Sequence, residues 1–228
     1  MPQKKALIAM SGGVDSSVAA YLTQQAGFDC IGVTMRLYDN LPDEGCDSRT
    51  CCSLEDVEDA RSVARRLGMP FYAFNFKADF REKVIEKFIH CYECGLTPNP
   101  CIECNRHLKF DHLLRRGMEL GCDCVVTGHY AQIMQDAQTG RYILYKAADK
   151  SKDQSYVLYS LTQQQLSHTL FPLGGLTKMR HEPLRRNRAS STPANTTVRT
   201  SALCRMAITS HSWSATPVRI IPQVIFLI

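Results

Sequence analysis

From residue 6 onward, short apolar runs alternate with stretches in which apolar residues recur every three or four positions. The runs Ala6 to Met10, Cys30 to Met35, Phe71 to Phe76 and Cys124 to Thr127 predict strands, because short apolar segments bounded by turn or polar residues suit strands buried on both faces. Asp15 to Gln25, Ser53 to Leu67, Phe80 to Tyr92 and Leu108 to Leu120 carry the helical period. Strand and helix alternate, so the expected fold is α/β, a doubly wound parallel sheet with flanking helices. Ligands in such sheets lie beyond the carboxyl ends of the strands. The loops after Met10, Met35 and Thr127 are therefore expected to share one site.

The pattern stops near Lys178. Residues 190 to 200 are rich in Ser, Thr, Ala and Asn, and residues 220 to 228 form an almost bare apolar end. Back-translating residues 199 to 209 and reading one nucleotide earlier yields, with permitted codons, Asp-Ile-Cys-Phe-Val-Pro-Asp-Gly-Asp-Tyr. That shadow text has the grammar of a folded protein and the printed text does not. The expectation is a catalytic domain over residues 1 to 178 and an out-of-frame, disordered tail over 179 to 228.

Charge and cysteine content refine the picture. The chain has 27 Lys and Arg against 22 Asp and Glu, but seven of those Arg and only one of the acids, Glu182, follow Lys178. The positive balance belongs to the tail and argues nothing about partners of the domain. The first apolar run is too short for a signal segment and no cleavage site follows it, so a cytoplasmic location without membrane attachment is expected. Eleven cysteines in such a chain point to metal ligation or thiol chemistry rather than to a disulfide scaffold.

The string Ser11-Gly12-Gly13-Val14-Asp15-Ser16-Ser17 lies between the first strand and the first helix. Its glycines let backbone N–H groups approach an anion, and the helix start adds a favourable dipole. It lacks the Gly-Lys-Ser/Thr ending of a Walker loop and the spacing of a dinucleotide fingerprint, which disfavours γ-phosphoryl and hydride transfer. Asp15 can hold Mg²⁺ beside a nucleotide. The string resembles the PP-loop of the N-type ATP pyrophosphatases, which have an adenine nucleotide alpha hydrolase-like fold, cleave ATP between the α and β phosphates and attach AMP to a substrate oxygen.

A second segment, Thr97-Pro98-Asn99-Pro100-Cys101-Ile102-Glu103-Cys104-Asn105, is expected to be a proline-stiffened loop before a helix starting near Leu108. A helix N-terminus lowers a thiol pKa, so a nucleophilic cysteine suits this place. Together with Gly128-His129-Tyr130 and Lys152-Asp153-Gln154-Ser155-Tyr156, the segment resembles the tRNA-specific 2-thiouridylase family over about residues 5 to 178.

That resemblance implies an ATP site of Ala9, Met10, Ser11, Gly12, Gly13, Val14, Asp15, Ser16, Met35 and Gly128. It implies target-base contacts from Asn99, Pro100 and Cys101, and tRNA contacts from Lys152, Asp153 and Gln154. It makes Cys104 the nucleophile of a sulfur transfer, able to form a disulfide bond with a second cysteine. That partner is absent from this frame, since Cys204 has the wrong neighbours and the shadow cysteine codon straddles those of Ser201 and Ala202. The implied cofactors are ATP and Mg²⁺, and the implied partners are tRNA and a sulfur donor, either a cysteine desulfurase or a sulfur-relay protein. The family's later β-rich domains are expected to be missing from this chain.

Other readings stay open. Cys91, Cys94, Cys101 and Cys104 form two knuckle-like pairs that zinc or an iron–sulfur cluster can use, although the six-residue spacer is short. On this view the chain is a metal-binding RNA module without catalysis. A different adenylating ligase of the PP-loop class is a further alternative. Cys46, Cys51 and Cys52, in an acidic loop, read as bystander thiols with redox activity as the alternative, and Cys30, Cys122 and Cys124 as small core residues. His129 orients a phosphate or base, or is an ordinary hydrogen-bonded histidine. Tyr156 and Tyr159 are expected to be buried, with stacking on RNA as the alternative.

Overall fold

The computed structural model describes residues 3–38 and 54–176. Five parallel strands form the central sheet in the order β3-β2-β1-β4-β7, with β1 Lys5–Ala9, β2 Asp29–Arg36, β3 Phe71–Asn75, β4 Cys124–Val126 and β7 Thr169–Leu170. The four expected strands are all present. The doubly wound α/β reading holds. Strand period explains the two core layers, because successive β1 side chains point to opposite faces. Ala6, Ile8 and Met10 join one apolar cluster with Val18, Ala60 and Ala64, while Leu7 joins another with Val33, Leu113 and Val125.

Helices α1 (Val14–Gln25) and α2 (Leu54–Arg66) cover the first face. On the other lie α3 (Lys77–Phe80) and α6 (Leu113–Glu119). Gly117 lets α6 settle close on the sheet, since a Cβ there would stand 3.2 Å from Leu7 Cδ2. Full burial of Leu7 and Ile8 contributes about 1.5–3 kcal/mol each.

Two helical stretches differ from expectation. The run predicted from Phe80 to Tyr92 starts earlier, in α3, widens into a π-helical segment at Arg81–Ile85 and ends as α4 (Glu86–Glu93). The helix expected from Leu108 begins instead at α5 (Pro100–Glu103), passes through a π-helical segment at Cys104–His112 and continues as α6. Asn99 caps it by accepting the Cys101 N–H at 3.0 Å, and Pro100 at the first helical position needs no N–H partner. The prolines that suggested a loop are thus a start signal.

An antiparallel pair, β5 (Ala131–Gln135) and β6 (Tyr142–Lys146), forms a separate small sheet. A 3₁₀ turn at Ser155–Val157 and helix α7 (Gln163–Ser167) then lead into β7, with Thr162 and Gln165 forming a capping box at the start of α7. No helix among the described residues is long and apolar enough to cross a membrane. The expected tail over 179–228, and Cys46, Cys51 and Cys52, lie outside the described residues.

Candidate active site at the strand ends

The sheet order reverses direction between β1 and β4, and the loops after these strands meet there. Gly12 has φ +75°, and a Cβ on it would stand 2.6 Å from the Asp56 carbonyl oxygen of α2. Only glycine suits both the left-handed backbone and that approach. Gly13 occupies the N-cap of α1 and supplies no side chain to the first N–H groups of the helix. These donors and the helix dipole are what a phosphate requires. Ser16 fixes the loop by accepting the Ser11 N–H at 3.2 Å and donating to the Gly13 carbonyl at 2.9 Å, and Ser17 donates to the same carbonyl at 3.0 Å.

Gly128, just after β4, presses on this first turn. A Cβ there would lie 2.9 Å from the Ser16 nitrogen and 3.0 Å from the Asp15 carbonyl carbon. From β2, Thr34 donates to the Met10 carbonyl at 2.7 Å, and Met10 donates to the Val33 carbonyl at 2.8 Å. The loops after Met10 and Thr127 thus converge as expected, whereas all but the first residues of the loop after Met35 lie outside the described residues. Met10 and Met35 are buried, so what Met10 brings to this rim is backbone and its side chain belongs to the core.

Asp15, half-buried in the first turn of α1, accepts from the Tyr130 hydroxyl at 2.7 Å. Tyr130 in turn accepts from Lys152 Nζ at 3.2 Å, and that ammonium stands 4.7 Å from the ring centroid. Gln154 holds Tyr130 through two bonds, its side chain accepting the Tyr130 N–H at 3.1 Å and its own N–H donating to the Tyr130 carbonyl at 2.9 Å. Asp153 accepts from the Ala147 N–H and the Ser155 hydroxyl, both at 2.8 Å. These bonds lower its pKa against the opposing effect of burial. Lys152 therefore reaches the glycine loop before α1 through one tyrosine. Asp153 and Gln154 hold the loop's own backbone. A carboxylate beside an uncapped helix start and a glycine cradle suits Mg²⁺ and a nucleotide phosphate chemically.

The cysteine segment is arranged differently from expectation. Cys104 lies on the π-helical segment, half-buried, and burial holds its thiol above the ordinary value against the opposing charge of Lys109. The helix start lies instead at Cys101, which is exposed. The neighbouring Asn105 is almost fully buried and donates to the Val157 carbonyl at 3.2 Å. Val157 in turn donates to the Gln154 carbonyl at 3.2 Å. A continuous hydrogen-bonded path thus joins the residue beside Cys104 to the loop that holds Tyr130.

Asn99 and Pro100 line a cavity of about 160 Å³ with Lys87, Cys91, Glu103 and Tyr159. Burial alone would raise the Glu103 pKa. The Lys87 hydrogen bond and the charges of Lys87, Arg106 and His107 outweigh it and lower the value. Lys87 escaped the sequence reading because charged residues on a helix ordinarily face solvent, and Glu103 because its segment read as a loop. Their only signal is the i,i+3 and i,i+4 spacing of Glu103 from Arg106 and His107.

The remaining candidates separate. All seven described cysteines are free, so no disulfide is formed among them, and Cys204 lies outside the described residues. No group of three or more His, Cys, Asp or Glu among the described residues could hold a metal, so the knuckle reading loses its geometry. Cys30, Cys122 and Cys124 are core residues, with burial pushing the Cys30 thiol to about 11 and the Cys124 thiol to about 12. His129 is buried, 2.7 Å from Thr127 Oγ1 and beside the rings of Phe110 and Phe171. Desolvation, then Lys109, lowers its pKa well below 6.5 and keeps it neutral. Tyr156 and Tyr159, expected to be buried, are 62% and 65% exposed. They stand at and beyond a short 3₁₀ turn, where no second layer covers them. Arg106 approaches the Tyr159 ring at 6.0 Å.

Residues 4–197 match the family described as the tRNA methyl transferase HUP domain. A tRNA-specific 2-thiouridylase MnmA of Clostridioides difficile is 56% identical over 180 residues, which is 78% of this chain and 49% of that protein. Its counterpart in Clostridium beijerinckii is 54% identical over 178 residues, 77% of this chain and 49% of that protein. The chain spans about half the length of these curated relatives. Among solved structures, a predicted subunit of tRNA methyltransferase from Methanocaldococcus jannaschii aligns with TM-score 0.52 at 13% identity, covering 91% of this chain and 88% of that one. That likeness shows the fold alone.

Proposed function

The chain belongs to the tRNA methyl transferase HUP domain family, and from that membership and the site we propose that it carries the ATP-using half of a tRNA uridine 2-thiolase. The observation that carries the proposal is the uncapped start of α1, cradled by Gly12 and Gly128 and joined by hydrogen bonds to the helix bearing Cys104. The family's description speaks of methyl transfer, a reaction with no use for a pyrophosphate cradle. The cradle favours the ATP reading.

In the proposed reaction the C2 oxygen of a tRNA wobble uridine attacks the α phosphate of ATP and diphosphate leaves. The outer sulfur of a persulfide on Cys104 then attacks C2, and AMP departs with the former base oxygen. The thiolate of a second cysteine next attacks the Cys104 sulfur, forming a disulfide and releasing the base as 2-thiouridine. The uridine must leave its stack, and Asn99 and Pro100 line a cavity where a flipped base can be held. Cys104 serves the sulfur step, which requires ionisation of a thiol that burial now keeps protonated; Lys109 is the charge that opposes burial. Mg²⁺ bound at Asp15 would neutralise phosphate charge. Persulfide sulfur would come from a cysteine desulfurase or a relay protein in the cytoplasm.

Residues after Lys178 are read as out of frame, and the printed chain is accordingly impaired in completed thiolation. The support is the shadow Asp-Ile-Cys, which restores a second cysteine for Cys104. The nucleotide sequence across Lys178 tests this directly. The function itself is tested by AMP release and 2-thiouridine formation on unmodified tRNA, measured with the printed chain and with the frame restored. Pyrophosphate exchange driven by a small metabolite without tRNA would support the rival ligase instead.

A further inference from the structure

We infer that Tyr130 is a positioning residue of the nucleotide site, through which Lys152 sets the Asp15 carboxylate for a magnesium-bound phosphate. The inference rests on the ATP reading proposed above and deepens it. Tyr130 is buried at 3% exposure, yet its hydroxyl bridges two charged groups, donating to Asp15 at 2.7 Å and accepting from Lys152 at 3.2 Å. A phenol has one proton. With Lys152 occupying a lone pair, that proton is directed onto Asp15, and the hydrogen bond to a charged acceptor is the stronger kind.

The bridge is held on every side. Gln154 clamps the Tyr130 backbone through both its amide groups, the Lys152 N–H donates to the Asp149 carbonyl at 3.1 Å, and the Asp153 carboxylate ties the loop to Ala147. Gly128, two residues before Tyr130, packs on the backbone of Asp15 itself. One short segment thus fixes both the main chain and the side chain of the same aspartate. Lys152 acts on the phosphate loop from a distance, and an RNA phosphate that engages this lysine competes with Tyr130 for it. RNA contact and carboxylate orientation are coupled through a single hydroxyl.

The test is ATP binding to the full chain by calorimetry, with Mg²⁺ or with EDTA, for Tyr130→Phe, Lys152→Met, Lys152→Arg and Asp15→Asn. Tyr130→Phe keeps the ring and removes only the bridge. It should weaken binding about tenfold in Mg²⁺, the loss of about 1.4 kcal/mol, while leaving binding in EDTA unchanged. Lys152→Met should lose part of the same increment, Lys152→Arg should retain it, and the Tyr130→Phe/Lys152→Met pair should lose no more than Tyr130→Phe alone. Equal losses with and without Mg²⁺, or no loss for Tyr130→Phe, overturn the inference. No Mg²⁺-dependent loss for Asp15→Asn overturns the assignment of Asp15 beneath it. No ATP binding by the parent chain overturns the proposed function.

Discussion

The phosphate loop and the cysteine helix lie on one hydrogen-bonded path, but their chemistry is set at different levels of structure. In the loop, the features that suit a phosphate reside in the backbone: two glycines, a helix start and a hydroxyl that returns to the Gly13 carbonyl. All of this is determined within a few residues of sequence. In the helix, the property that matters is whether a thiol ionises, and burial against distant residues decides it. Local chemistry can be read from a string of letters; a thiol's environment depends on which turn of which helix faces the core.

The comparison is broken most severely at Gly12. Gly12→Val places a branched Cβ in a left-handed backbone, which alone costs about 1–2 kcal/mol. It also drives that atom to within 2.6 Å of the Asp56 carbonyl. Nucleotide binding should be lost, because the loop must move to relieve the contact. Nucleotide-induced thermal stabilisation checks this, and a variant that keeps its ATP-dependent rise in Tm would show that the loop is not the phosphate site.

Next in size is Asp15→Asn, which preserves shape and removes charge. AMP formation should fall by about 100-fold or more, on the scale of losing one preorganised electrostatic group. Thermal stability should change little, since the carboxylate is half-buried and in reach of the tyrosine donor. Unchanged turnover by the frame-restored chain would remove Asp15 from the site.

What the sequence disclosed follows the same division. Strands β1, β2 and β4 were legible because they are largely buried and read as apolar runs. Edge strand β3 was legible from its aromatic content although none of its residues is buried. The convergence of the loops after β1 and β4 followed from strand order alone. The start of the cysteine helix was misread because Pro98 and Pro100 were weighed as loop stiffeners. Asn99 followed by Pro100 is an N-cap followed by a first helical position. The π-helical segments were invisible, since an apolar repeat near three or four residues tolerates one wider turn. Strands β5 to β7 were missed for another reason: β7 has two residues, and β5 and β6 mix exposed apolar with polar positions. Tyr130 was legible only as part of a motif, because its partners stand 115 and 22 residues away.

The corrected helix start reverses an expectation about the thiols and gives a third test. Were Cys104 in a loop before a helix, it would be alkylated ahead of Cys91 and Cys94. On the observed helix, exposed Cys94 and Cys101 should react with iodoacetamide several-fold faster than half-buried Cys104 at pH 7.5. Peptide mapping at short times gives the order. Labelling of Cys104 first would mean that the helix opens in solution, which would return the cysteine segment to the loop first expected.

The smallest expected effect sits at the joint between the two regions, where His129 follows Gly128 and packs beside Phe110 of the cysteine helix and Phe171. Burial lowers its pKa well below 6.5 in the folded chain, while in the unfolded chain it titrates near that value. The unfolded state therefore binds more protons as pH falls through 6.5, so His129 contributes nothing unfavourable above that pH and destabilises the fold below it. The loss grows by about 1.4 kcal/mol per pH unit until the folded group itself protonates. Urea midpoints measured at pH 7.5, 6.5 and 5.5 should fall more steeply for the parent chain than for His129→Gln, which keeps a hydrogen-bonding amide for Thr127 and cannot titrate. Parallel slopes for the two would mean that the imidazole titrates in the folded chain as it does in the unfolded one and is protonated below about pH 6.5 despite its aromatic neighbours. The joint would then carry a positive charge beside the phosphate loop, and the division between a backbone-built and a burial-tuned region would fail at the residue that connects them.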